Sequence, residues 1–127
     1  MIYSVYSGSE ILRVERTDQL LLTDGESFIV GDYPPSDYYM IGVLPMPRPD
    51  FDLTFNAPKD ADGIFQLPDV SAVFRIDGIP ASTRIVDPSG DFIESDGWYE
   101  ASFTHSGRFI VALTLFPYKE LEVYVEA

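Results

Sequence analysis

The chain has 127 residues, 46% hydrophobic and 23% charged, with 21 acidic residues against 8 basic ones and a formal net charge of -13. That length suits one domain or two small modules, and the apolar share argues against wholesale disorder. The acidic surface speaks against nucleic acid and anionic membranes as partners, and the absence of cysteine removes disulfides and thiol chemistry, which fits folding in a reducing cytoplasm.

The N-terminal half reads as short strands between turns. Ile2 to Tyr6 is β-branched and aromatic, and Ser7-Gly8-Ser9 breaks it. Ile11 to Glu15 and Gln19 to Leu22 are the next expected strands, followed by the turn pair Asp24-Gly25 and a strand over Ser27 to Val30. Tyr33-Pro34-Pro35-Ser36-Asp37 reads as a loop, and Tyr38 to Val43 as a further strand. In Leu44-Pro45-Met46-Pro47-Arg48-Pro49 the alternating prolines are expected to keep the segment out of any sheet ladder, as an extended connector. Residues 1–55 are thus expected to form an N-terminal hairpin or meander module, with the proline connector near 44–49 and Phe51, Leu53 and Phe55 alternating just beyond it. Asn56 to Gly63 is polar and rich in turn formers.

Residues 64–127 carry a clearer period of two. Val70, Ala72, Phe74 and Ile76 alternate with Ser71, Val73, Arg75 and Asp77. Ser82 to Val86 is short, Asp87-Pro88-Ser89-Gly90 is a turn cluster, and Phe92 to Glu94 leads into Asp96-Gly97. Tyr99, Ala101 and Phe103 share one face, as do Phe109, Val111, Leu113 and Leu115. Leu121, Val123 and Val125 alternate with glutamates and Tyr124 in a last strand that offers an exposed edge. Turn signals every eight to twelve residues predict a small immunoglobulin-like β-sandwich. No segment keeps a helical period, and the longest apolar run near the end, Phe109 to Phe116, is far too short to span a bilayer. The N-terminus has no basic region leading into an apolar core, so no signal peptide is expected there.

Chemical motifs are sparse. His105, the one histidine, precedes Ser106-Gly107 at an expected hairpin tip, with no nucleophile elbow in the chain. Asp60-Ala61-Asp62-Gly63 has part of a calcium-loop pattern but lacks its remaining ligands. Asp50 and Asp52, or Glu120, Glu122 and Glu126, could pair as hydrolytic carboxylates, and a solvated strand face accounts for them as well. No catalytic residue, cofactor or metal is therefore expected. Aromatic residues are the candidates for an interface: Tyr33, Tyr38 and Tyr39 around Pro34-Pro35, then Trp98, Tyr118 and Tyr124. Such rings pair an apolar body with a polar tip, which suits protein contacts and sugar stacking. Trp98 follows a turn, so core anchor and rim are both open readings.

The order of features also carries a resemblance. Val30-Gly31-Asp32 is followed by Tyr38-Tyr39-Met40-Ile41, then Pro47-Arg48-Pro49, then Ser106-Gly107-Arg108-Phe109-Ile110-Val111 and Phe116-Pro117-Tyr118 before a final acidic strand. This resembles small accessory proteins encoded among the tail genes of phages and prophages, across most of the chain. Here the glycine step is Ser-Gly-Arg-Phe where the family has Pro-Gly-Thr-Tyr. The resemblance implies a non-enzymatic virion part of the tail, baseplate or tail fibre, or a fibre-assembly helper, with other virion tail proteins as partners and homo-oligomer formation. A carbohydrate- or receptor-binding module is the alternative, with Tyr33, Tyr38, Tyr39 or Trp98 as stacking platforms.

Overall fold

The computed structural model describes residues 1–94 and 96–127. Among them every regular element is a strand, and the chain divides into two compact units, Met1–Pro49 and Asp50–Ala127.

The first unit holds β1 (Ile2–Ser7), β2 (Glu10–Arg16), β3 (Ser27–Val30), β4 (Tyr38–Ile41) and β5 (Leu44–Pro47). The first three form an antiparallel sheet in the order β2-β1-β3, and β4 pairs with β5 as a separate hairpin. Its phase can be read from the bonds at its ends. Thr17 N–H donates to Met1 C=O, and Gly31 N–H donates to Ile2 C=O. By the alternation of an antiparallel ladder, odd residues of β1 bond β2 and even residues bond β3. Ser4, fully buried, ties the end of β3 down: its hydroxyl donates to Gly31 C=O at 2.8 Å and accepts from Tyr33 N–H at 2.9 Å. The buried apolar side chains of this unit are Val5, Ile11 and Met40. Each contributes about 1.5–3 kcal/mol, a small core for a unit near the lower size limit of independent folding.

Two expectations are corrected here. Gln19 to Leu22 is not a strand, because the Thr17 hydroxyl accepts from Gln19 N–H at 3.1 Å and turns the chain locally. The proline segment is not a free connector, because Leu44–Pro47 is a strand paired with β4. Gly42-Val43 is a two-residue turn with φ of +62° at Gly42, so the flanking pair Ile41 and Leu44 is hydrogen-bonded. Alternation then puts Tyr39 with Met46 in the next bonded pair, while Pro45 and Pro47 fall opposite Met40 and Tyr38 at non-bonded positions. Their missing N–H groups point away from β4 and cost the ladder nothing.

The second unit holds β6 (Thr54–Phe55), β7 (Phe65–Gln66), β8 (Phe74–Asp77), β9 (Arg84–Asp87), β10 (Gly90–Ile93), β11 (Trp98–Ala101), β12 (Arg108–Thr114) and β13 (Leu121–Glu126). One sheet runs β10-β9-β12-β13-β7 and the other β11-β8-β6. All pairs are antiparallel except β13 with β7. Both sheets give residues to one cluster: Phe74, Ile76 and Tyr99 from one, and Phe65, Ile85, Val111, Leu113, Val123 and Val125 from the other. Phe51, Leu53 and Phe55 pack against it, although only Thr54–Phe55 of that run is strand. The expected long strand from Val70 begins only at Phe74. Asp69 captures Ser71 N–H at 2.8 Å and bends the preceding residues into a turn. The last strand is not an open edge along its length, because β7 covers Val125 and Glu126.

Candidate functional site

Each candidate aromatic residue has a defined local setting. In the first unit Tyr33 and Tyr38 meet edge to face at 5.2 Å, both half-buried, and Tyr39 is half-buried beside them in sequence. Tyr33 is placed by the Gly31 backbone. A Cβ at Gly31 would lie 2.5 Å from the Tyr33 ring, and its φ of +132° is one that side chains avoid.

In the second unit Trp98 stands on the outer face of its sheet, which settles its open reading in favour of the surface. It lies opposite Asp77 in the ladder, with Glu100 opposite Arg75. The Arg75 guanidinium sits 4.8 Å over the indole, donating to Glu100 at 2.7 Å and to Asp77 at 2.8–3.0 Å. The Arg75 hydrogen bonds hold the Asp77 carboxyl below its ordinary range, and Asp77 and Glu100 raise Arg75 in turn. Trp98 keeps 41% of its surface exposed. Tyr118, half-buried, stacks on Phe51 at 4.8 Å. Tyr124 is exposed and donates to Glu122 at 2.7 Å, and that bond pushes its phenol up.

Sequence reasoning missed two features. The first is a pocket of about 270 Å³ in the second unit, lined among others by Asp87, Tyr99, Phe103, His105 and Phe109. Phe103 and Phe109 stack face to face at 4.2 Å, and the His105 ring meets Phe109 at 5.4 Å. The polar wall is already engaged. Asp87 accepts from Tyr99 at 2.6 Å, from the Ser89 hydroxyl at 2.6 Å and from the Ser89 and Gly90 N–H groups. Burial works to raise its pKa, yet these donors outweigh it and hold it below the ordinary aspartate value. A carboxylate so occupied is a poor base. His105 Nδ1 lies 3.2 Å from the neighbouring Thr104 hydroxyl, which is no relay to a nucleophile. The Asp60 carboxylate is likewise a turn former, accepting from Asp62 and Ile64 N–H at 2.9 Å and from Gln66 at 3.0 Å.

The second missed feature is apolar surface on the first unit. The hairpin tip presents Ile41, Val43 and Leu44 at 55%, 70% and 62% exposure, and β3 presents Phe28 and Val30. The sequence signal of the tip was Ile41, Val43 and Leu44 flanking Gly42, apolar residues on both sides of a turn former.

Comparison of the chain with protein-family models, curated proteins and solved structures returned no match.

Proposed function

We propose that the chain is a non-enzymatic structural or adaptor protein of a phage tail, baseplate or tail-fibre complex, acting through protein contacts. The observation that carries the contact reading is the balance of the first unit: three buried apolar side chains against an exposed tip of Ile41, Val43 and Leu44. A small unit with that balance gains stability when a partner covers the tip. The assignment to a phage tail rests on the sequence resemblance alone.

The second unit is, in this reading, an immunoglobulin-like sandwich. Its strand order supports this. β8, β9, β11, β12 and β13 take the places of strands B, C, E, F and G, with β10 added beside C. β6 pairs with β8 in one sheet and β7 pairs with β13 in the other, as a first strand that changes sheets does. Mass spectrometry of purified particles tests the virion reading. A fixed ratio to known tail proteins supports it, and absence from particles with presence in lysates leaves an assembly helper.

A second reading, a carbohydrate-binding module, is favoured by the aromatic pocket of Phe103, Phe109 and His105. A glycan array on the whole chain, with Phe109→Ala as the comparison, tests it; no signal on any glycan removes it.

A further inference from the structure

We propose that a second copy of this chain pairs with the outer edge of β3, joining two first units into one continuous sheet across a twofold axis at Ile29.

The argument begins with which groups of β3 are unused. Gly31 N–H bonds Ile2, so by alternation Ile29 and Ser27 bond β1, and the N–H and C=O of Phe28 and Val30 point outward. No described residue pairs with those outward groups. The outward residues are two apart, so an antiparallel copy centred on Ile29 sets Phe28 opposite the second copy's Val30 and the reverse. All four N–H and all four C=O groups are then satisfied by one symmetric operation.

The other strand edges of the unit are closed to this. Outward positions on β5 are Pro45 and Pro47. On β4 the outward N–H groups of Tyr38 and Met40 already donate to Pro34 and Ser9. β2 carries Glu10, Arg13, Glu15 and Arg16. β3, Ser-Phe-Ile-Val, has no charge, no proline and no bulge, in a chain of net charge -13.

The self-complementary register points to a second copy, and the charges at its ends allow it. The twofold register brings Glu26 of one copy towards Asp32 of the other, which would repel if both were bare. Each is already matched within its own chain, Glu26 by Arg13 at 2.6 Å and Asp32 by Arg16 at 3.5 Å. Side chains fit the same register. Val30 stands opposite Tyr3 on β1, and Phe28 meets Tyr3 edge to face at 5.5 Å, so one apolar face runs across the joint. This inference does not depend on the tail reading.

The chain has no cysteine, so a single introduced thiol reports the pairing directly. Across the proposed axis Ile29 faces its own copy at a non-bonded position, where Cα atoms stand about 4.5 Å apart, within disulfide reach. Under mild oxidation Ile29→Cys is expected to form a covalent dimer much faster than Val43→Cys, a control at the exposed hairpin tip. Adding Val30→Lys to Ile29→Cys should remove that advantage, because lysines would flank the joint. Circular dichroism on each variant confirms that the fold is retained. Cross-linking of folded Ile29→Cys no faster than Val43→Cys overturns the proposal. So does a cross-link that Val30→Lys leaves unchanged.

Discussion

Tyr99 donates its phenolic hydrogen to Asp87 at 2.6 Å, linking β11 of one sheet to the end of β9 in the other. The ring is buried and the carboxylate also holds the Ser89 and Gly90 N–H groups, so one short bond joins the core to the β9–β10 turn. Tyr99→Phe keeps the ring and removes the bond. It should cost about 1.5–3 kcal/mol, the range for hydrogen bonds to charged groups. Asp87→Ala should cost more, since it also strips the turn and leaves a buried hydroxyl without its acceptor. Urea denaturation followed by circular dichroism measures both. Equal stability of Tyr99→Phe and the native chain would show the bond to be absent in solution.

The same pair sets an alkaline limit. Burial first, and Asp87 second, push the Tyr99 phenol above its ordinary value. A raised pKa means that the stabilisation is fully present below the unfolded tyrosine value near pH ~10 and is lost as pH climbs beyond it. The unfolding midpoint should therefore fall above about pH 10, and the fall should be shallower in Tyr99→Phe. Matching slopes for the two proteins would refute it.

An opposite limit lies in the first unit. Glu26 is held down to about 2, first by its hydrogen bonds from Arg13 and then by Thr23 N–H at 2.9 Å. A depressed pKa contributes stability above the unfolded glutamate value and loses it as pH drops towards the folded one. Hydrogen exchange of the β1–β3 amides should thus quicken between about pH 4.3 and 2. Glu26→Gln should flatten that change. A carboxyl NMR titration placing Glu26 near 4 would overturn the assignment.

Glycine at 31 is a steric requirement, and glycine at 8 is only a conformational one. Gly8 has φ of +61° with open space around it, whereas Gly31 combines φ of +132° with the Tyr33 ring 2.5 Å from an added Cβ. Gly8→Ala should cost about 1 kcal/mol, the ordinary left-handed penalty. Gly31→Ala should cost about 2–3 kcal/mol and release the Ser4 bonds to Gly31 and Tyr33. Comparing the two denaturation curves is the check, and equal losses would mean that the Tyr33 contact does not constrain the turn.

How far the sequence foretold these features depends on which physical signal carries each. β12 and β13 were legible because Val111, Leu113, Val123 and Val125 all face one core at period two. The Asp87 to Gly90 turn was legible because its residues make the turn by their own side chains. The β4–β5 hairpin was not, because proline tolerance depends on the hydrogen-bond phase set by Gly42-Val43, and side-chain alternation does not carry that phase. The expected strand over Gln19 to Leu22 is absent and the one expected from Val70 starts late because Thr17 and Asp69 capture backbone N–H groups, a local choice that hydrophobicity does not register. Among the candidate site residues, Tyr33 and Tyr38 were found together, yet the exposed apolar tip was hidden in what read as an ordinary strand.

Trp98 and Tyr99 are neighbours on one strand and face opposite ways, which makes them a direct test of the sheet assignment. Tyr99 is core, so Tyr99→Ala should cost about 3–5 kcal/mol, as large aromatic truncations do. Trp98 lies on the solvent face under Arg75. An exposed cation–aromatic contact is worth about 0.5–1 kcal/mol and the indole keeps 41% of its surface exposed, so Trp98→Ala should cost clearly less than Tyr99→Ala, despite removing the larger ring. As the sole tryptophan it also reports its own environment. Its emission should be that of a partly solvated indole and quench readily with acrylamide. A blue-shifted, unquenchable emission together with a large loss in Trp98→Ala would mean that β11 is slipped by one residue. In that register every side chain of the strand changes face, and Tyr99 could no longer reach Asp87.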